Sequence, residues 1–200
     1  MAEAGVRPRG RSRTGARILD AALELFNRYG TGRVTTNHIA AQLRISPGNL
    51  YYWYPDKQAI VRALWVRYAA QQAALWEGAG DDLPTPREMV ARLAGLTDLT
   101  REHLFIARDG PALVHEDPEL REVYVTARGR ALAIFGALAR SWRTDGLLRP
   151  VDDERLDALV AALWTLTEAW LPYAVLHHGA ADAAHGEALL LAVLEPYLPS

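Results

Sequence analysis

Gly48 and Asn49 stand side by side, with Tyr51, Tyr52 and Trp53 close behind and Lys57 a turn further on. These residue types at this spacing suit recognition of nucleic acid rather than bond making. Glycine lets a backbone approach closely, and asparagine offers paired donor and acceptor atoms to a base edge in the major groove. Tyrosine hydroxyls and a lysine ammonium reach phosphate oxygens. The candidates for bond-making chemistry weigh less. His177 and His178, with His185 and Glu187, could suggest a metal site. Adjacent histidines diverge by about 100° on a helix, however, so they do not form an i, i+4 ligand pair. They read better as solvated helix ends favoured by the dipole. In His115-Glu116-Asp117, Asp117 serves better as a helix cap before Pro118. The chain has no cysteine, which removes thiol nucleophiles, thiolate metal sites and disulfides. A phosphate-binding glycine loop and a nucleophile elbow are also absent. No catalysis, metal or cofactor is expected.

The Gly-Asn pair needs a frame, and the flanking residues supply one. Thr35 can N-cap a helix burying Ile39, Ala40 and Leu43, spaced as one helical face. A turn at Arg44-Ile45 follows. Ser46 then caps a second helix with Pro47 at its first position, where a missing N–H costs nothing. Ahead of this pair, Ile18, Leu19, Ala22, Leu25, Phe26 and Tyr29 mark one face of a helix over residues 14–29, stopped by Gly30. That helix is expected to bracket the other two from behind. Leu50 is expected in the small core. One or two of Tyr51, Trp53 and Tyr54 should pack there rather than face a ligand.

The stretch from Thr35 to Lys57, TTNHIAAQLRISPGNLYYWYPDK, resembles the helix-turn-helix of TetR-family transcriptional regulators. The resemblance begins near Arg13 and becomes diffuse beyond Tyr68. Arg44 stands where the family usually has Gly, Trp53 where it often has a phosphate-contacting His, and Tyr54 where it has Phe. The resemblance implies an all-α fold: a three-helix head on a larger helical ligand-binding and dimerisation body, about nine helices in all. By matching positions, it implies groove or base contact by Gly48, Asn49 and Tyr51, on the helix opened by Ser46 and Pro47. Thr36, Tyr52, Trp53 and Lys57 match phosphate contacts, with Arg44 as a further candidate. It also implies a homodimer through the last two helices and a repressor released from an inverted-repeat operator by a small-molecule effector.

Charge agrees with that division. Residues 1 to 60 carry nine Lys/Arg and four Asp/Glu; the remainder carries 13 against 20. A basic front on an acidic back suits a head that meets DNA and a body that does not. Residues 1–12, rich in Gly, Pro and Arg, are expected to form a disordered basic arm, either tracking DNA or serving only as a solubilising tail. Residues 13–57 form the expected head, residues 57–76 a linking helix opened by Asp56, and residues 77–200 the body. No apolar run approaches the ~20 residues of a membrane span, and the start is unlike a signal peptide, so a soluble cytoplasmic protein is expected.

In the body, helical patterns are expected from Thr85-Pro86 to Arg108, stopped by Asp109-Gly110-Pro111; from Pro118 to Asp145-Gly146; from Asp152 or Asp153 through a kink at Pro172; and from Glu187 to Tyr197. Residues 179–186, including His185, are expected to connect the last two. Those two helices are apolar around most of their girth, which calls for burial on two sides. Large aromatics with a few polar groups nearby make His103, Phe105, His115, Tyr124, Trp164 and Glu168 the candidate effector pocket, suited to an apolar or aromatic compound. The same aromatics could be core filler. The competing function is a helical ligand carrier or interaction module whose head has lost specific DNA binding, an idea that Arg44 and Trp53 keep open.

Overall fold

The computed structural model describes residues 11–77, 83–178 and 183–199. Met1–Gly10, the bulk of the expected arm, lie outside them. Nine α-helices and two 3-10 turns, with no strand, make up the described residues. The chain divides at Arg67 into two compact units.

The first unit contains α1 (Arg11–Tyr29), a 3-10 turn (Thr31–Arg33), α2 (Thr36–Leu43), α3 (Pro47–Trp53) and the start of α4 (Lys57–Glu77). Helix α1 starts at Arg11, three residues before the Thr14 indicated by periodicity. It buries Ile18, Ala22 and Phe26. Tyr29 was expected on that apolar face but is exposed, with Arg28 over its ring. Gly30 ends the helix at φ 85° and donates its N–H to the Phe26 carbonyl at 2.9 Å, a backbone setting that suits a residue without Cβ. Ile39, Ala40 and Leu50 are buried as expected, whereas Leu43 is half-buried. Asp56 caps α4 through the Ala59 N–H at 2.6 Å. On α4, Val61 and Trp65 are buried and Val66 is exposed.

The second unit holds α5 (Pro86–Glu102), α6 (Leu104–Glu116), α7 (Pro118–Thr144), α8 (Asp153–His178) and α9 (Ala183–Leu194), then a 3-10 turn at Glu195–Tyr197. Thr85 opens α5 with a reciprocal capping box to Glu88, and Asp117 caps α7 through the Glu119 and Leu120 N–H groups. Helix α5 packs on α9, α8 and α6, and α7 packs on α6 and α8. Their core gathers Met89, Val90 and Leu93 of α5, Leu138 and Trp142 of α7, Leu156 and Leu159 of α8, and Leu190 and Leu194 of α9.

In the second unit two boundaries differ from the sequence pattern. The helix expected to run to Arg108 breaks at His103 (φ −115°, ψ 40°), and Asp109-Gly110-Pro111 lies inside α6 instead of ending a helix. Proline disfavours helical backbone in the residue before it through clashes with that residue's N–H and Cβ; Gly110 has no Cβ, which removes one of the two. Asp109 is ion-paired to Arg108. The second difference is at α9, which begins at Ala183, so His185 and Gly186 are helical. Gly186 is there for packing. A Cβ on it would lie 2.5 Å from Cζ2 of Trp170, so the indole of α8 rests directly on the backbone of α9.

A helix-turn-helix surface and a polar seam in the body

Helices α2 and α3 are each closed by local chemistry. The Thr35 hydroxyl accepts from the His38 N–H while His38 Nδ1 accepts from the Thr35 N–H. The Ser46 hydroxyl accepts from the Asn49 N–H, and Pro47 stands at the first helical position. Between them Arg44 adopts the left-handed region at φ 55°, ψ 42°. A non-glycine residue there costs about 1–2 kcal/mol. Its N–H, like that of Ile45, bonds back to α2 carbonyls.

This frame leaves Ser46, Pro47, Gly48, Asn49, Tyr51 and Tyr52 exposed as one surface. A Cβ on Gly48 would meet nothing within 4 Å, and its φ is not positive. The fold therefore has no need of glycine there, although glycine in a helix costs roughly 0.5–1 kcal/mol relative to alanine. Thr36 and Tyr51 are brought together, hydroxyl to hydroxyl, at 3.0 Å. They border a shallow cleft of ≈ 300 Å³ with Val34, Pro55, Asp56 and Lys57.

Two candidate contacts are engaged within the unit. Lys57 Nζ donates to the Thr31 carbonyl at 2.9 Å, tying the 3-10 turn to α4. Trp53 is half-buried, with Cε3 3.4 Å from where a Cβ on Gly15 would be. Tyr52 meets its ring edge-on at 5.5 Å. Tyr54 bonds the Gly15 carbonyl at 3.5 Å, and burial pushes its hydroxyl pKa up. Gly15, unremarked in the sequence, is thus the site on α1 that receives both rings.

In the second unit the structure brings some of the six candidate pocket residues together and places others apart. His115 is exposed and Phe105 is fully buried. His103 is buried at the α5–α6 break, its ring 5.2 Å from that of Tyr68 and its Nδ1 3.1 Å from the Leu99 carbonyl. Tyr124 and Glu168 are brought together. The Tyr124 hydroxyl donates to the carboxylate at 3.3 Å, and Arg128 bonds both Tyr124, at 2.9 Å, and Glu168. Sequence reasoning missed Arg128, though it lies four residues from Tyr124 on the same helical face. Burial raises the Tyr124 and Tyr68 hydroxyl pKa values, and the Glu168 charge adds to both. Trp164 packs at 5.3 Å on Phe135 and lines a cavity of ≈ 30 Å³ with Met89, Val90, Leu93 and Val160.

A second polar group runs from α4 to α5. Gln72 donates to the Tyr68 hydroxyl at 3.0 Å, Tyr68 reaches Thr100 at 3.1 Å, and Thr100 donates to the Leu96 carbonyl at 2.8 Å. Because the Thr100 proton is committed to Leu96, Tyr68 is the donor to Thr100. No group of three or more potential metal ligands occurs among the described residues. Among them no helix is long and apolar enough to cross a membrane.

Known proteins match both units. Residues 18–64 match the model of bacterial regulatory proteins of the tetR family, and residues 67–200 match a TetR model for bacterial transcriptional repressors. The transcriptional regulator RutR of Escherichia coli K12 is 26% identical over 178 residues, covering 85% of this chain and 79% of RutR. A crystallised TetR-family regulator from Marinobacter aquaeolei VT8 is 30% identical with a TM-score of 0.83, over 93% of this chain and 91% of its own. A transcriptional regulator from Saccharomonospora viridis, solved in complex with choline, shares the fold at 22% identity and a TM-score of 0.78, over 94% and 100% of the two chains. With a family model spanning the whole second unit and a helix-turn-helix in the first, the chain belongs to the TetR family of DNA-binding bacterial transcriptional repressors.

Proposed function

We propose that the chain represses transcription as a homodimer on an inverted-repeat operator and is released by a small apolar or aromatic effector. The observation that carries the operator reading is Gly48, a glycine with open space around it on an exposed helix. Its use is close approach of a partner, and Asn49 beside it reads a base edge. Tyr51, held by Thr36, and Tyr52 take phosphates or groove edges; Arg44 lies exposed at the turn for a further phosphate. Lys57 reaches phosphate by exchanging its bond to Thr31 or by sharing its three donors. Trp53 acts by seating α3 on Gly15.

Dimerisation is supported by small residues left exposed on the last two helices. On α8 these are Ala158, Ala162, Thr165 and Ala169, with Tyr173; on α9 they are Ala184, Ala188 and Ala192. Their i, i+3 and i, i+4 spacing lines one face of each helix. An inverted repeat calls for two recognition helices ~34 Å or more apart, on successive turns of DNA, which takes two copies of the chain. An effector that favours another spacing of the heads shifts the population away from DNA.

Selection of bound sequences from a random duplex pool at near-physiological salt tests this reading. Enrichment of a palindrome with one half-site spacing is expected. A folded protein that recovers no motif would instead leave a helical ligand carrier.

A further inference from the structure

Thr97 and Trp164 each bury a polar atom, Thr97 Oγ1 and Trp164 Nε1, that has no hydrogen-bond partner among the described residues. Threonines in these helices normally find one: Thr100, Thr144 and Thr167 each donate to the carbonyl four residues back. Thr97, only 2% exposed, makes no such bond. A buried polar group without a partner costs stability, so these two call for an explanation.

Their placement provides it. Leu93 of α5 and Trp164 of α8 both wall the apolar cavity. Thr97 follows Leu93 by four residues, so it lies on the same face one turn further along, and α5 packs on α8. Thr100, one turn beyond Thr97 on α5, bonds the Tyr68 hydroxyl, which also feels the charge of Glu168, one turn beyond Trp164 on α8. The hydrogen-bonded groups of both helices therefore begin on that side. The interior thus grades from an apolar end to a polar one, with the two unpartnered atoms at the step. The cavity, ≈ 30 Å³, has room for a water molecule. A water there would need two to four polar partners, and the residues around it are almost wholly apolar.

We propose that Thr97 and Trp164 are the polar anchor of the effector site, and that the effector is an apolar or aromatic molecule bearing one hydroxyl. That hydroxyl accepts from Trp164 Nε1–H and donates to Thr97 Oγ1, while the apolar portion enlarges and fills the cavity. This rests on the effector reading above.

The test uses the full chain labelled with 15N-tryptophan, with the Trp164 signal assigned by Trp164→Phe. The probes are 4-methylphenol and 1,4-dimethylbenzene, which differ only in a hydroxyl for a methyl. The phenol should bind about fivefold more tightly and move the Trp164 indole N–H resonance. In Thr97→Val the preference should shrink towards one. The ligand-free Thr97→Val protein should also melt higher, because the substitution removes a hydroxyl without a partner. Equal affinities, no binding of the phenol, an unmoved Trp164 signal, or a lower melting temperature for Thr97→Val would each overturn the assignment. Those failures leave the operator reading untouched. If all the binding signatures appear and saturating 4-methylphenol leaves DNA affinity unchanged, the site stands and its role as the effector site fails.

Discussion

The two units handle polar groups in opposite ways. In the first, the polar chemistry of α2 and α3 lies at helix ends and on the surface: Thr35 and Ser46 cap, and Gly48, Asn49 and Tyr52 face outwards. In the second, polar groups run through the interior, from Gln72 and Tyr68 to Thr100, with His103 and Thr97 buried alongside. A rigid head with an outward polar face can meet a partner without rearranging. A body with costly polar groups inside has a ground state that a ligand can improve on. The difference fits the proposed division of labour, with recognition of DNA in the first unit and response to a small molecule in the second.

The largest effect should come from Phe26→Ala, which truncates a fully buried side chain in the first unit. A loss of ~3–5 kcal/mol should melt the head and abolish DNA binding. Calorimetry should still find the transition of the second unit, and loss of both units together would break the comparison. Asn49→Ala should relax base preference at one operator position by about 1–3 kcal/mol without changing the melting temperature. Specificity profiling of the variant decides this, and an unchanged profile removes Asn49 from the contact set. Arg44→Gly should stabilise the head by up to roughly 1–2 kcal/mol, by relieving the left-handed backbone. Salt titration of its DNA affinity shows whether Arg44 also neutralises a phosphate, by a slope shallower by about 0.9.

The smallest effect concerns acid. The Thr85 N–H and hydroxyl hold Glu88 below its ordinary pKa. A lowered folded-state value means that the stabilisation is present above the unfolded pKa and is lost as pH falls through the folded one. Glu88→Gln should therefore reduce the stability of the second unit at neutral pH and leave it nearly unchanged at the acid end. Melting curves across that range check the sign.

What could be read from the sequence follows from the same contrast. The caps at Thr35, Ser46 and Asp56, the left-handed turn at Arg44 and the stop at Gly30 are settled by residues within four positions of each other. Each was legible, and the stretch that carries the family resemblance, Thr35 to Lys57, holds most of them. The break at His103 was not, since no Gly or Pro marks it and its ring is placed by Tyr68, far away in sequence. Nor could the sequence tell that Trp53 rests on Gly15, or that Gly186 continues a helix because Trp170 needs the space. For the same reason the pocket candidates were only partly brought together. Tyr124 and Glu168 meet, joined by Arg128, which no apolar pattern marks, while His115 faces solvent. Periodicity says which face of a helix is apolar, but not which polar group on one helix will find its partner on another.

Trp170 and Gly186 together occupy a volume that neither position controls alone. The indole fills the place of the first atom any other residue at 186 would carry. A larger residue at 186 becomes acceptable only with a smaller one at 170, so the two positions are free to change as a pair and closed to change singly. Among descendants of this chain they should behave as a single inherited character, written in two places sixteen residues apart.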